Sequence, residues 1–546
     1  MLCRLLVGVT LYGFLGARSA PTSAPIVTLS YGQFQGVVNG TATSFLGIPY
    51  AQPPLGPLRF APPHTPQSVA GVQQATSYGA ACPQQASHVA NVLPFPINER
   101  APSNVSEDCL FVNVVKPTSI STDEKLPVIF WIYGGGFETG DTSLSDGTPL
   151  VERSLVLNEP VIFVSANYRM NAFGFLASEE VKSARSTNIG LRDQRFAIEW
   201  VNQHIAEFGG DPTKVIIWGE SAGALSVGLH LVMFNGNTDG LFRGAFMESG
   251  SPYALRDVSA GQQYYDQLVE YTGCSGESDT LDCLRYVSFD SLMDAIKMTP
   301  NIYNYTSLNL AWQPRLDDDI FVRNPEHSIE MGLWAQVPTV SGDCDDEGTV
   351  FSLGSTNITT DSEFVEYVQR NYIPVASASQ IAAVAEAYPA DPAQGSPFGT
   401  GDANNLTSQY KRLAAFQGDW EFQAPRRLFQ RTVSSQHDTW GFLYKRDKST
   451  PYLGSYHSTD LVEFFDVSDY IGADALINFA YYLNPNAPTN LPANVSYLSG
   501  IQWPKWEAGS PQLLTFIEPA PSLSLTEDTY RATGMSLISE LSLKFP

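Results

Sequence analysis

The sequence predicts an α/β protein: one large, mostly parallel sheet with helices on both faces. Three observations predict it. Short, continuous apolar runs recur through the first half of the chain, as in strands covered on both faces. Stretches with helical spacing alternate with them. One strand-to-helix junction, Gly219-Glu220-Ser221-Ala222-Gly223, is a turn with almost no room in it. Alternation of this kind, joined by right-handed crossovers, builds a single sheet.

Taken in order, the chain opens on "MLCR", a short basic start, followed by the apolar run "LLVGVTLYGFLG". Ala17 and Ser19 stand at the −3 and −1 positions of a cut after Ser19. This predicts a secretory signal peptide over 1–19 and a single catalytic domain over 20–546. The run at 5–16 is too short to span a bilayer, and no later run is long enough, so no integral membrane segment is expected. Strands are predicted at 127–132 and 160–166. A helix is predicted at 191–208, with Phe196, Ala197, Trp200, Val201 and Ile205 on its apolar face. A strand at 215–218, a helix at 222–233 and a strand at 243–249 follow. The region 255–335 is more helical and broken by prolines, and reads as an insertion over the sheet edge. Two last strands are predicted at 337–342 and 439–445, the first weakened by Pro338.

Composition narrows the function. The 546 residues are 43% hydrophobic and 16% charged, with a net charge of −25. Phosphate binding needs a basic surface, so nucleic acid is excluded as a partner. The charge fits solubility in an acidic external medium. Cys3 leaves with the signal, and an oxidising compartment favours pairing of the rest. Nearness in sequence suggests Cys82–Cys109 and Cys274–Cys283, leaving Cys344 free. Asn-x-Ser/Thr sites for glycan stand at Asn39, Asn104, Asn304, Asn357, Asn405 and Asn494.

The tight turn carries the chemistry. Gly-x-Ser-x-Gly between a strand and a helix forces the serine into strained backbone geometry and projects its hydroxyl at the C-terminal edge of the sheet. The helix behind it supplies free N–H groups and partial positive charge. A serine hydroxyl is a poor nucleophile without a base. In this fold the chain order is serine, acid, histidine, which leaves His327, His437 and His457. His437 precedes the strand at 439–445 and so sits at the wrong end of the sheet. His457 follows it, at the same edge as Ser221, and is the expected base. The acid should follow a strand between the two. "VPTVSGDCDDEGTVF" offers Asp343, Asp345, Asp346 and Glu347, and spacing alone does not choose among them. One oxyanion donor is the N–H of Ala222. Others are expected from Tyr133-Gly134-Gly135-Gly136, whose glycines let the backbone approach an ester.

These segments resemble the type-B carboxylesterase/lipase family of α/β-hydrolases, in particular its secreted fungal branch. The resemblance is carried by "FLGIPYAQPPLGPLRFAPP" (45–63), "SEDCLFVNV" (106–114), "WIYGGGFETG" (131–140), "NYRMNAFGFLAS" (167–178), "FGGDPTKVIIWGESAG" (208–223), "DDEGTVF" (345–351) and "SYHSTDL" (455–461). It implies Glu347 as the acid and Gly135, Gly136 and Ala222 as the oxyanion donors. It implies the disulfides Cys82–Cys109 and Cys274–Cys283. It makes Glu220 the counterpart of the family's buried glutamate and Ser249 that of its supporting serine. Cys344 departs from the pattern and reads as a neutral buried thiol.

The expected function is that of a secreted serine esterase or lipase working through an acyl-enzyme, with no metal or organic cofactor. Glycerides, sterol esters, feruloyl-type aryl esters and short-chain esters all fit the family. The rival is a catalytically dead adhesion or binding protein of the same fold, disfavoured because every catalytic position is filled. Glu347 and Glu220 are expected to hold the histidine pKa near or above its ordinary 6.5. In the loop from Cys82 to Cys109, Pro94 and Pro96 interrupt the apolar residues Val89, Val92, Leu93, Phe95 and Ile97. That predicts a short or absent lid and little interfacial activation.

Overall fold

The structure is a computed structural model; it describes residues 24–85, 93, 102, 104–119, 125–465, 469–489 and 491–545. The expected signal peptide, 1–19, and most of the loop between Cys82 and Cys109 lie outside the described residues.

Strand-forming sequence begins at once. β1 (Ile26–Leu29) and β2 (Gly32–Gln35) pair antiparallel, β3 (Val37–Asn39) and β4 (Ala42–Pro49) form a hairpin, and β5 (Val72–Gln74) runs parallel to β2. Then come β6 (Phe111–Pro117), β7 (Leu126–Ile132), β8 (Ile162–Ala166), β9 (Gly210–Glu220), β10 (Gly244–Glu248), β11 (Thr339–Cys344), β12 (Thr439–Tyr444), β13 (Gln512–Phe516) and β14 (Leu523–Glu527). β1, β2 and β5 make a small sheet. The others make an 11-stranded sheet in the order β14-β13-β12-β11-β10-β9-β7-β8-β6-β4-β3. Its centre, from β8 to β13, is parallel; both flanks are antiparallel.

The centre behaves as the apolar runs dictate. Every residue of β7, β8 and β10 is buried, so these strands need no polar face. Trp131 of β7 and Trp218 of β9 meet at 4.1 Å between ring centroids. The predicted strand at 215–218 is longer, because β9 continues outward to Gly210 and inward to Glu220. The strand expected at 337–342 begins two residues later, as β11. Pro338 stands just outside it, where its missing N–H costs no ladder bond. The region 255–335 holds short helices, among them Gln262–Tyr271, Thr280–Tyr286 and Phe289–Lys297. A second helical layer, from Asp361–Asn371 to Ala424–Val433, packs with the C-terminal helix Ala532–Lys544 around its own apolar cluster.

Both expected disulfides are formed, Cys82–Cys109 and Cys274–Cys283, and Cys344 is free and buried. Of the sequon asparagines, Asn39, Asn104, Asn304, Asn357 and Asn494 are exposed, while Asn405 is half-buried. Among the described residues no helix is long and apolar enough to cross a membrane.

Candidate active site

β9 delivers the chain to the nucleophile turn, and the helix Ala222–Val232 takes it away. Ser221 stands between them at φ 55°, ψ −127°, a conformation that costs an ordinary residue about 1–3 kcal/mol. The surroundings hold it there. The Ser221 N–H donates to Glu248 O on β10 at 2.9 Å, and the Leu225 N–H closes the first helical turn onto Ser221 O at 2.8 Å. The flanking glycines are a matter of space: a Cβ on Gly219 would lie 2.5 Å from the Gly223 backbone, and one on Gly223 only 2.0 Å from Ile132 O. Ala222 is the first helical residue, so its N–H has no carbonyl within the helix to bond.

His457 arrives from the turn after β12. Its Nε2 lies 2.8 Å from Ser221 Oγ and its Nδ1 2.5 Å from Glu347 Oε2. Phe351 and Phe422 hold the ring from the sides, at 4.9 and 4.7 Å between centroids. Glu347 follows β11 and is 1% exposed. Its Oε1 accepts from Ser249 Oγ and from the Cys344 N–H, both at 2.6 Å. The other three acids of the cluster face elsewhere. Asp343 meets Arg426 at 2.7 Å, Asp345 meets Lys448 at 2.8 Å, and Asp346 accepts the Ser455 N–H at 2.9 Å. His437 lies before β12, where its Nδ1 accepts from the neighbouring Asp438 N–H. His230 is a core residue beside Gln194, with its pKa lowered to about 3 by burial.

The glycine loop after β7 lies against the elbow. A Cβ on Gly134 would sit 2.6 Å from Glu220 Oε2 and 2.8 Å from Ser221 Cβ. Gly135 and Gly136 have φ +97° and +63°, open to glycine at no steric cost. Gly134 thus abuts Glu220 and Ser221, and Gly135 and Gly136 follow it directly in the chain. Glu220 Oε1 is 3.5 Å from His457 Nε2 and accepts from Ser458 Oγ.

The electrostatics are those of a buried site with several carboxyls. Burial pushes Glu347 up to about 8, opposed by Ser249 and the Cys344 N–H. Burial likewise raises Glu220 to about 7, against the pull of His457. His457 itself is lowered, because burial outweighs Glu220, Asp460 and Asp343. This reverses the expectation of a histidine held near or above 6.5: the carboxylates are present, but desolvation is stronger. Burial keeps the Cys344 thiol neutral, as expected. Sequence reasoning missed Ser458 and Asp460, although both lie in the "SYHSTDL" segment, and it missed Phe422, which nothing in the sequence marks. Among the described residues no cluster of three or more metal-ligating side chains occurs.

Residues 23–526 match the Carboxylesterase family. Secreted lipase 1 of Botryotinia fuckeliana is 37% identical over 539 residues, 94% of this chain and 93% of that protein. Lipase 4 of Diutina rugosa is 39% identical over 533 residues, 94% of this chain and 95% of that one. The secreted triacylglycerol lipase of Gibberella zeae is 37% identical over 543 residues, 94% and 90% of the two chains. The crystal structure of Aspergillus niger EstA superposes with a TM-score of 0.81 at 28% identity, covering 96% of this chain and 99% of that one. With its mostly parallel sheet and its elbow serine, the chain belongs to the carboxylesterase family and is a carboxylic ester hydrolase.

Proposed function

We propose that this protein is a secreted lipase or esterase in which Ser221, His457 and Glu347 form the catalytic triad. The observation that carries the reading is the unbroken chain from Ser221 Oγ to His457 Nε2, at 2.8 Å, and from His457 Nδ1 to Glu347 Oε2, at 2.5 Å. Three donors, Ser249 Oγ, the Cys344 N–H and His457 Nδ1, surround the Glu347 oxygens and favour its ionised form against burial; it accepts a hydrogen bond from Nδ1–H, which leaves the Nε2 lone pair facing the serine. Ser221 Oγ attacks the ester carbonyl carbon as His457 Nε2 takes its proton. The carbonyl oxygen becomes an oxyanion, held by the N–H groups of Gly135, Gly136 and Ala222. The tetrahedral adduct collapses, His457 returns the proton to the leaving alcohol, and an acyl-Ser221 remains. Water then repeats the sequence and frees the acid. Ser249 holds the carboxylate that orients the histidine.

Uncharged esters of lipids or aryl acids are the proposed substrates, with glycerides favoured by the names of the relatives. Secretion through a signal peptide over 1–19, a single domain over 20–546 and glycans on the exposed sequon asparagines belong to the same reading. A fluorophosphonate should label the wild-type protein and leave Ser221→Ala unlabelled. Turnover in that variant should fall by roughly 10⁴-fold or more. Labelling that persists in Ser221→Ala would place the nucleophile elsewhere. An acyl-chain-length series run beside a feruloyl ester then separates the substrate classes.

A further inference from the structure

Asp346 stands beside the proposed acid but points away from the histidine. It is 0% exposed, and its bonds converge on one task. Its backbone N–H donates to Ser455 O at 2.9 Å, and Asp346 and Tyr456 form an isolated parallel bridge. Its side chain grips the same segment from the other side: Oδ2 accepts the Ser455 N–H at 2.9 Å and the Lys448 ammonium. Oδ1 accepts the Phe398 N–H at 2.7 Å and Ser396 Oγ at 3.1 Å. One carboxylate therefore gathers the acid turn, the 396–398 segment and the histidine turn. Further bonds tighten the joint. Thr349 Oγ1 lies between Asp346 O, at 3.0 Å, and Leu453 O, at 2.9 Å, and can donate its one proton to either; Ser455 Oγ donates to Tyr444 O at 2.9 Å. Gly454, at φ +63°, leaves room for it: a Cβ there would lie 2.2 Å from Asp346 Oδ2.

Asp346 is one residue before Glu347, and Ser455 is two before His457. The contact between Glu347 and His457 joins side chains from two separate turns, each able to drift. A productive constellation must be held within about 0.5 Å. We infer that Asp346 is a positioning residue of the ester hydrolysis, its carboxylate holding the backbone ahead of His457 against the backbone ahead of Glu347. Lys448 supplies the countercharge, shared with Asp345 at 2.8 Å. The inference rests on the triad proposed above.

The test uses the full-length enzyme with p-nitrophenyl butyrate. Asp346→Asn, Asp346→Ala, Gly454→Ala, Glu347→Ala and His457→Ala are compared for kcat and KM per folded enzyme, with the folded fraction taken from near-UV circular dichroism and Tm alongside. Misplacement on the ångström scale costs about 100-fold, so Asp346→Ala should lower kcat by that order while KM changes less than about 2-fold. Asp346→Asn keeps an acceptor but loses the charge, and should fall between Asp346→Ala and wild type. Gly454→Ala displaces Oδ2 from the opposite side and should reproduce the kcat loss. If Asp346→Ala fails to fold, the other two variants decide. A merely structural residue would lower Tm and the folded fraction but leave kcat per folded enzyme unchanged, and that result overturns the inference. Loss of activity in Glu347→Ala and His457→Ala with wild-type kcat in the Asp346 and Gly454 variants would overturn this inference alone. Wild-type kcat in Glu347→Ala or His457→Ala would overturn the triad beneath it.

Discussion

His457 is caught between two opposing influences. Removal from water disfavours the imidazolium, while Glu220, Asp460 and Asp343 favour it; burial is the larger and the pKa is lowered. Below its pKa the ring is protonated and cannot accept the Ser221 proton. The acid limb of kcat/KM, which reports the free enzyme, should therefore have its midpoint below the ordinary 6.5. A pH–rate profile with its midpoint at 7 or above would show that the carboxylates win. Glu220 is the largest of these carboxylate influences, with Oε1 3.5 Å from Nε2. Glu220→Gln should move the limb lower still and reduce kcat by about 10-fold, because the imidazolium formed in the transition state loses a charged neighbour. His457→Ala should cost roughly 10⁴-fold in kcat, and His437→Ala should be nearly silent. The reverse pattern would put the base at the wrong end of β12.

At the scale of elements, the elbow is a packing problem as much as a catalytic one. The helix after Ser221 leans on the end of β7, where the chain turns into the glycine loop. Only hydrogen fits at Gly223, since a Cβ would stand 2.0 Å from Ile132 O. Gly223→Ala should destabilise the fold by about 1–3 kcal/mol. It should also lower kcat by pushing the strand end that leads to Gly135 and Gly136. Tm and kcat measured together check this, and wild-type values for both would refute the close approach. The same elements show how far local pattern carries. β7, β8, β9 and β10 announce themselves as apolar runs because both faces are covered. β3 is three exposed residues and β14 is an edge strand of mixed exposure, so neither has a run to find. β13 has apolar residues, but what makes it a strand is its partners β12 and β14.

For the whole molecule, the buried carboxyls set the pH dependence of stability. Burial raises Glu138, Glu326 and Glu421 to about 8. Their unfolded values lie near 4.3. Between those limits the folded state keeps protons that the unfolded state has released, so stability falls as pH rises. His204, His230 and His457 are lowered by burial and act in the opposite sense, weakening the fold as pH drops below about 6.5. Burial also raises Glu159, Glu220, Asp343, Glu347, Asp460 and Glu463 to about 7 or 8, so the raised carboxyls outnumber the histidines. Tm should peak at mildly acidic pH and decline towards pH 8, and Glu326→Gln should flatten the decline. A Tm that climbs steadily from pH 5 to 8 would contradict this. Access to the site is a second property of the whole. The prolines between Cys82 and Cys109 argue for a short lid, so rates on tributyrin should follow a hyperbola that ignores the solubility limit. A sharp jump once droplets appear would show a lid that opens at an interface.

The sequence by itself determined the central sheet and singled out the serine and histidine proposed for the triad, because each is written in local pattern. Apolar runs mark buried strands, Gly-x-Ser-x-Gly marks a turn too tight for side chains, and chain order singles out a histidine after the right strand. The acid was different. Asp343, Asp345, Asp346 and Glu347 are chemically alike and adjacent, and only likeness to a family chose among them. The tertiary structure separates them by partner: Arg426 for Asp343, Lys448 for Asp345, the Ser455 N–H for Asp346 and His457 for Glu347. Those partners lie roughly eighty to over a hundred residues further along the chain, where no periodicity reaches. The direction of the His457 pKa was equally hidden: the neighbouring charges could be read from the segments, but desolvation depends on how the whole chain closes around the ring.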